Sequence, residues 1–219
     1  MNYNFLHGDC LVSSLKDSIS SSGFLIIDNV NSIDDVLDIT QSLGEIRTLN
    51  KKDIQIIQPS TKEKSKSKSF SYFYGFEDFP LHSDTVFWEQ PARYIIFYMQ
   101  EKSSTSTIIL DRNEVKRILN IFFDKKPIFL KKKETGISYS FPLFGNSNEY
   151  ICYDPCYMKP INDDAKLFVQ ELENSVSKAV PIQWIGNRLV IIDNWYVLHG
   201  RKAVDSADFD RKLFRFYRA

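Results

Sequence analysis

The chain has no net charge, no long apolar run and very little cysteine, and each shortage removes a class of protein. Its 28 basic and 28 acidic side chains cancel, so no global field draws it to nucleic acid or to an anionic membrane. Nowhere does an apolar run reach the ~18 residues that a spanning helix needs. The N-terminal MNYNFLHGDC lacks a basic stretch followed by a long apolar segment and does not read as a secretory signal. Cys10, Cys152 and Cys156 are an odd number, with no second pair to complete a zinc tetrahedron. They read as buried free thiols in a reducing compartment. These absences point to a cytoplasmic protein whose partner is a small molecule, and they leave the oligomeric state open.

What is present favours β structure. A chain of 219 residues suits one domain over residues 1–219, and its 17 Phe and 11 Tyr are residue types that strands prefer. Gly23 to Asp28 reads as a buried strand, Ile54 to Ile57 as a short one and Arg93 to Met99 as a strong one. Thr107 to Leu110, Ile182 to Trp184, Arg188 to Asp193 and Leu213 to Arg218 complete the strand candidates. Helical spacing with caps marks a segment from Ser32 to Gly44, another from Arg112 to Phe122, and the clearest from Asp163 to Lys178 with Asn162 as cap. Residues 128–160 mix aromatics with turn residues such as Gly145 to Asn148 and suit irregular strands and loops. Residues 59–69, PSTKEKSKSKS, have no periodicity and are expected to form a mobile, lid-like loop. Many strands with a few helices suggest a double-sheet jelly roll.

Three histidines occur, and His7, close to the start of the sequence, keeps a bland reading. The other two border strands. In Phe79-Pro80-Leu81-His82-Ser83-Asp84, a His-x-Asp pair on an extended chain points both side chains to one face, because strand side chains alternate. His199 closes Asp193-Asn194-Trp195-Tyr196-Val197-Leu198-His199. Two histidines and one carboxylate, with the remaining positions open, form the facial triad of non-haem iron(II) oxygenases. Near the C-terminus, Arg211, Leu213, Arg215 and Tyr217 alternate with Lys212, Phe214, Phe216 and Arg218. Two guanidinium groups therefore share a strand face, and a guanidinium matches a carboxylate through a bidentate fork. Phe87, Trp88, Trp195 and Tyr196 flank the proposed ligands and are candidates for pocket walls.

The blocks FPLHSD (79–84), QPARYIIFYM (90–99), TIILD (107–111), IIDNWYVLHGR (191–201) and RKLFR (211–215) resemble the taurine dioxygenase/TfdA-like family, which includes clavaminate-synthase-like enzymes. The resemblance implies a distorted double-stranded β-helix, iron(II), 2-oxoglutarate as co-substrate, and O2. It implies His82, Asp84 and His199 as iron ligands, and Arg211 as the clamp on the distal carboxylate of 2-oxoglutarate, helped by Thr107. It implies that Arg215 meets an anionic group of the prime substrate; Trp88 and Trp195 are expected as further substrate contacts only from their place beside the ligands in sequence, with the core as their alternative. Family members often carry Gly-Gly shortly before the threonine; Ser103 to Ser106 stand here, so a different local turn is expected. Because Asp84 fills the position that halogenating relatives vacate, the resemblance favours hydroxylation of a small polar or amino-acid-like molecule. Desaturation, cyclisation and epimerisation share the same ligands. The competing readings are a catalytically silent jelly-roll binding protein and a zinc hydrolase on the same three residues.

Overall fold

In the computed structural model the described residues are 10–67, 69–133, 136–144 and 150–219. The N-terminal half runs α1 (Cys10–Ser22), β1 (Phe24–Ile27), α2 (Ile33–Thr40), β2 (Ile46–Arg47), β3 (Gln55–Ile57), α3 (Phe70–Tyr74), β4 (Phe79–His82), β5 (Tyr94–Met99) and β6 (Lys102–Leu110). There follow α4 (Arg112–Ile121), β7 (Phe129–Lys133), β8 (Gly136–Ser140), β9 (Leu143–Phe144), β10 (Tyr150–Ile151) and β11 (Met158–Pro160). The chain ends with α5 (Asp163–Ser175), β12 (Val180–Ile185), β13 (Arg188–Asp193), β14 (Leu198–Arg201) and β15 (Leu213–Arg218).

Two antiparallel sheets form the body. The larger has the order β1-β13-β5-β15-β2, with β3 also paired to β15; the smaller has the order β12-β6-β14-β4. Three apolar clusters explain why the central strands read as unbroken hydrophobic runs. Ile95, Phe97 and Met99 of β5 face Ile109 of β6 and Trp184 of β12 between the sheets. The alternate residues Tyr94, Ile96 and Tyr98 face outward onto Leu15 and Ile19 of α1 and Val36 of α2. On the outer side of the smaller sheet, Ile108, Leu110 and Leu198 pack against Ile118 of α4 and Phe168 of α5. A strand covered on both faces loses polar alternation. This double-sheet jelly roll, with helices outside, is the fold class expected from the sequence.

Local chemistry sets the helix starts. Ser32 and Asp35 form a reciprocal capping box at α2, Asp111 accepts from Asn113 and Glu114 at α4, and Asn162 accepts from Ala165 at α5. The structure differs from the sequence reading at several places. α1 was not anticipated, since its serine-rich last turn hides the inward Leu15 and Ile19. β1 is half-buried rather than buried, because it lies at a sheet edge. Residues 103–106 do not turn but extend β6 back to Lys102, with an irregularity opposite them between Ile182 and Trp184. β14 forms a separate strand around His199, which was expected just after one. Cys152 is buried and Cys156 half-buried, and both are free. His7 and the Gly145 to Asn148 turn lie outside the described residues. No helix among the described residues is long and apolar enough to cross a membrane.

Candidate metal centre

β4 and β14 pair so that His82 and His199 are direct cross-strand partners, their ring centroids 4.2 Å apart. The strand register thus joins two histidines 117 positions apart in sequence. An irregularity between His199 and Arg201 leaves Gly200 pressed on β4, where an added Cβ would stand 2.5 Å from the Phe79 carbonyl oxygen and 3.2 Å from Ile108 Cγ1. Gly200→Ala should therefore cost about 1–3 kcal/mol through overpacking and push β4 from β14. A lowered melting temperature together with weakened divalent-metal binding is the expected pair of readouts.

Asp84 reaches the same point by a bend, not by the continued strand that the sequence suggested. Thr85 holds φ +58, a region that β-branched residues rarely occupy. Hydrogen bonds secure it. Thr85 Oγ1 accepts from Ala92 N at 2.8 Å, Asn194 Oδ1 accepts from Asp84 N at 2.8 Å, and Asn194 Nδ2 donates to the carbonyls of Asp84 and Ala92. Ser83 exchanges backbone and hydroxyl bonds with Tyr153. The bend is thereby tied to two distant segments, and Asp84 Oδ1 sits 3.6 Å from His82 Nε2 and 3.9 Å from His199 Nε2. Two ligands about 2.1 Å from one ion can be at most about 4.2 Å apart. Both separations fit, and the three side chains form a buried trio with metal-ligand spacing.

Their protonation suits the same purpose. His82 Nδ1 lies 2.8 Å from the Pro80 carbonyl oxygen; an N–H there leaves the lone pair on Nε2, facing Asp84. Burial, reinforced by His82, pushes His199 down to about 3, so its imidazole is neutral near pH 7. Burial opposes ionisation of Asp84, but the Arg215 guanidinium and both histidines outweigh it and hold the carboxyl well below the usual range. A neutral His199 imidazole and an ionised Asp84 carboxylate are what a divalent ion requires.

The trio opens on a cavity of about 420 Å³, lined also by Thr107, Arg201, Arg211, Arg215 and Tyr217 and by Phe70, Phe87, Asp154 and Tyr157. Pro59, Lys66, Ser67 and Ser69 contribute from the 59–69 segment, which has neither helix nor strand among its described residues. Arg211 is buried, and its NH1 donates to the Ser103 hydroxyl at 3.2 Å and the Thr105 carbonyl at 2.8 Å. It makes no ion pair with a carboxylate among the described residues, and burial lowers its pKa despite the pull of Asp208. A desolvated cation without a counterion is costly, and an anion entering the cavity would relieve that cost. Thr107 Oγ1 accepts from Trp184 Nε1 at 3.2 Å and lies opposite Arg201 in register.

No family model matches the chain, and no curated protein matches its sequence. Solved structures do match. Asparagine oxygenase, in complex with Fe(II), 2S,3S-3-hydroxyasparagine and succinate, has a TM-score of 0.69 at 15% identity over 96% of this chain and 79% of its own. The non-heme iron oxygenase OrfP, in complex with Fe, succinate and (3S)-hydroxy-L-Arg, has a TM-score of 0.68 at 15% identity, covering 97% and 80%. PvcB of Pseudomonas aeruginosa, an Fe, alpha-ketoglutarate dependent oxygenase from an isonitrile synthetic pathway, has a TM-score of 0.67 at 15% identity, covering 94% and 79%. The fold is that of these three oxygenases.

Within this oxygenase fold, several residues stand elsewhere than the sequence suggested. Trp88 lies outside the cavity, under the Arg47 guanidinium at 4.3 Å and against Tyr217. Trp195 also lies outside it, stacked on Tyr150 with ring centroids 4.6 Å apart and donating to the Pro91 carbonyl. Tyr196 is covered by Arg112. Flanking a ligand in sequence does not aim a side chain at the ligand when the backbone turns between them, and of the four flanking aromatics only Phe87 reaches the cavity. Arg215 is already engaged: NH1 donates to Asp84 Oδ2 at 2.9 Å, and Nε and NH2 donate to Gln55 Oε1. Other residues escaped the sequence reading. Phe70 lies over His82 with ring centroids 3.9 Å apart. Arg201 is buried beside Arg211, donating to the carbonyls of Gly75 and Glu77. Asp154 is pushed up to about 6 by burial, and its Oδ1 accepts from Cys156 N.

Proposed function

We propose that the protein is an iron(II)- and 2-oxoglutarate-dependent dioxygenase that hydroxylates a small amino-acid-like molecule. The observation that carries this reading is the convergence of His82, Asp84 and His199 on one wall of a cavity that also holds the desolvated Arg211. In it, His82 Nε2, His199 Nε2 and Asp84 Oδ1 hold the iron, and Arg211 takes the distal carboxylate of 2-oxoglutarate, with Thr107 beside it. When bound, the iron and its co-substrate supply the oxidising chemistry, with O2 consumed and succinate and carbon dioxide released. The chain contributes three protein ligands and leaves the other coordination positions open. It also contributes a fixed cation at the far end and apolar walls, Phe70, Phe97 and Phe87, that exclude water from the reacting face. A zinc hydrolase on the same ligands would leave Arg211 without a role.

The substrate class rests on charge. The remaining N–H donors of Arg215 suit an anionic group, and Asp154, which lines the same cavity, suits an ammonium or amide group. Such a pair fits an amino acid. The neighbours crystallised with hydroxyasparagine and hydroxy-Arg lend support to that class. The segment 59–69 serves as the lid in this reading, one domain carries the whole site, and the free thiols Cys152 and Cys156 accord with the cytoplasm.

The test is succinate release. Iron-loaded protein with 2-oxoglutarate and O2 should form succinate slowly alone and several-fold faster with one member of a panel of amino acids, amides and sulfonates. A panel that produces no succinate with any compound, from protein that binds iron, would defeat the assignment.

A further inference from the structure

Asp84 is the only carboxylate of the trio, and its two oxygens have different surroundings. Oδ2 accepts from the Tyr217 hydroxyl at 2.9 Å and from Arg215 NH1 at 2.9 Å. Oδ1 faces the two imidazole Nε2 atoms. An ionised carboxylate offers about four lone-pair sites, and a carboxylate free to rotate could present either oxygen, or both, to an ion. We propose that Tyr217, acting with Arg215, is a positioning residue that fixes Asp84 as a one-oxygen ligand. This inference rests on the metal-centre reading above and adds a residue to which that reading gave no part.

The geometry of β15 supports it. Arg215 and Tyr217 are two positions apart and so share a face, and the strand is held on both sides, Tyr217 lying opposite Ile95 of β5 and Arg47 of β2. The Tyr217 ring is buried in the intersheet cluster and meets Trp88 edge-on at 5.7 Å. Packing therefore sets the direction of the hydroxyl before any ion arrives. Arg215 is braced in turn by Gln55, so both donors reach Asp84 from anchored positions. A phenol donating to a carboxylate makes a charge-assisted bond. With both donors on Oδ2, the carboxylate cannot turn that oxygen to the cavity without breaking them. Partners that orient metal ligands in this way typically alter metal affinity 10–100-fold when removed.

Metal-free protein titrated with Mn(II), followed by loss of the free aqueous Mn(II) paramagnetic resonance signal, tests the proposal. Tyr217→Phe should raise the Mn(II) dissociation constant about tenfold. The control is Tyr98→Phe, which removes another buried hydroxyl, one that donates to the Val30 carbonyl at 2.8 Å away from the site. That variant should bind Mn(II) as the wild type does while losing comparable thermal stability. Arg215→Gln removes the second donor and should weaken Mn(II) similarly; it decides the question if Tyr217→Phe does not fold. Wild-type affinity in folded Tyr217→Phe, or an equal loss in Tyr98→Phe, overturns the proposal and leaves the metal centre standing. A wild-type protein that takes up no Mn(II) overturns the metal centre and this inference together.

Discussion

Anaerobic addition of iron(II) and 2-oxoglutarate to the wild-type protein should produce a weak visible charge-transfer band, and His199→Leu should abolish it. The expected loss of iron affinity is at least about a hundredfold, because one of three protein ligands is gone. Leucine is the informative replacement, since it fills most of the imidazole's space without offering a donor. In the metal-free protein His199 earns little for the fold. Its ring is buried, its Nδ1 has no hydrogen-bond partner among the described residues, and its pKa is depressed to about 3. A buried polar group left unpaired costs about 1–3 kcal/mol, and an apolar side chain of similar volume avoids that cost. Metal-free His199→Leu should therefore melt within a few degrees of the metal-free wild type while failing to form the band. A large fall in stability would mean that His199 is a structural residue. A retained band would mean that the iron is held elsewhere.

How far the sequence disclosed this site depends on the range of the contact. β5 was legible because an apolar run of strand length between polar flanks has few other uses, and α5 because its cap and its apolar face agree. His82 and Asp84 could be paired on paper, being two residues apart. The reason they converge is not local, however. The bend at Asp84 is held by Asn194 and by Tyr153, and neither position carried a signal in a one-dimensional reading. The partners of Asp84 Oδ2, Arg215 and Tyr217, lie 131 and 133 positions away. Alternation suggests one face for Arg211, Arg215 and Tyr217, but β15 begins only at Leu213, so Arg211 lies before the strand, and the pattern does not tell which of them meets the carboxylate. Asp154 opens the turn Asp154-Pro155-Cys156-Tyr157, where periodicity says nothing. Trp88 and Trp195 lie outside the cavity because neighbours in sequence need not be neighbours in space. At Ser103 to Ser106 the missing Gly-Gly of the family leads one to expect a different local turn, yet the segment pairs with β12 as strand, and two of its serines serve the site. Ser103 takes a bond from Arg211, and Ser104 donates to Asp208.

Arg211→Ala should raise the concentration of 2-oxoglutarate needed for the band by about a hundredfold while leaving iron affinity within about twofold of wild type. Truncating one partner of a buried charge pair costs about 2–5 kcal/mol, and a hundredfold change is about 2.7 kcal/mol. The asymmetry between co-substrate and metal is what separates the roles. Arg211 donates to Ser103 and Thr105 on β6, whereas the ligands lie on β4, on β14 and at the Asp84 bend, so its loss should leave the trio in place. The serine and carbonyl contacts also explain why the guanidinium can wait in the cavity without a counterion. They fix its plane at NH1, and Asp208, which accepts from Thr105 N at 2.7 Å and from Thr105 Oγ1, fixes the strand they come from. Arg211→Lys should fall between, since an ammonium keeps the charge but lacks the planar fork that matches a carboxylate. Added salt should weaken 2-oxoglutarate binding less in the wild type than in the lysine variant, because a bidentate pair in a desolvated pocket is poorly screened. If alanine lowers iron and 2-oxoglutarate affinity by the same factor, Arg211 is a brace between β6 and the segment that leads into β15, and the distal carboxylate must be met by another cation. Arg201, buried beside it on β14, is then the residue to replace next.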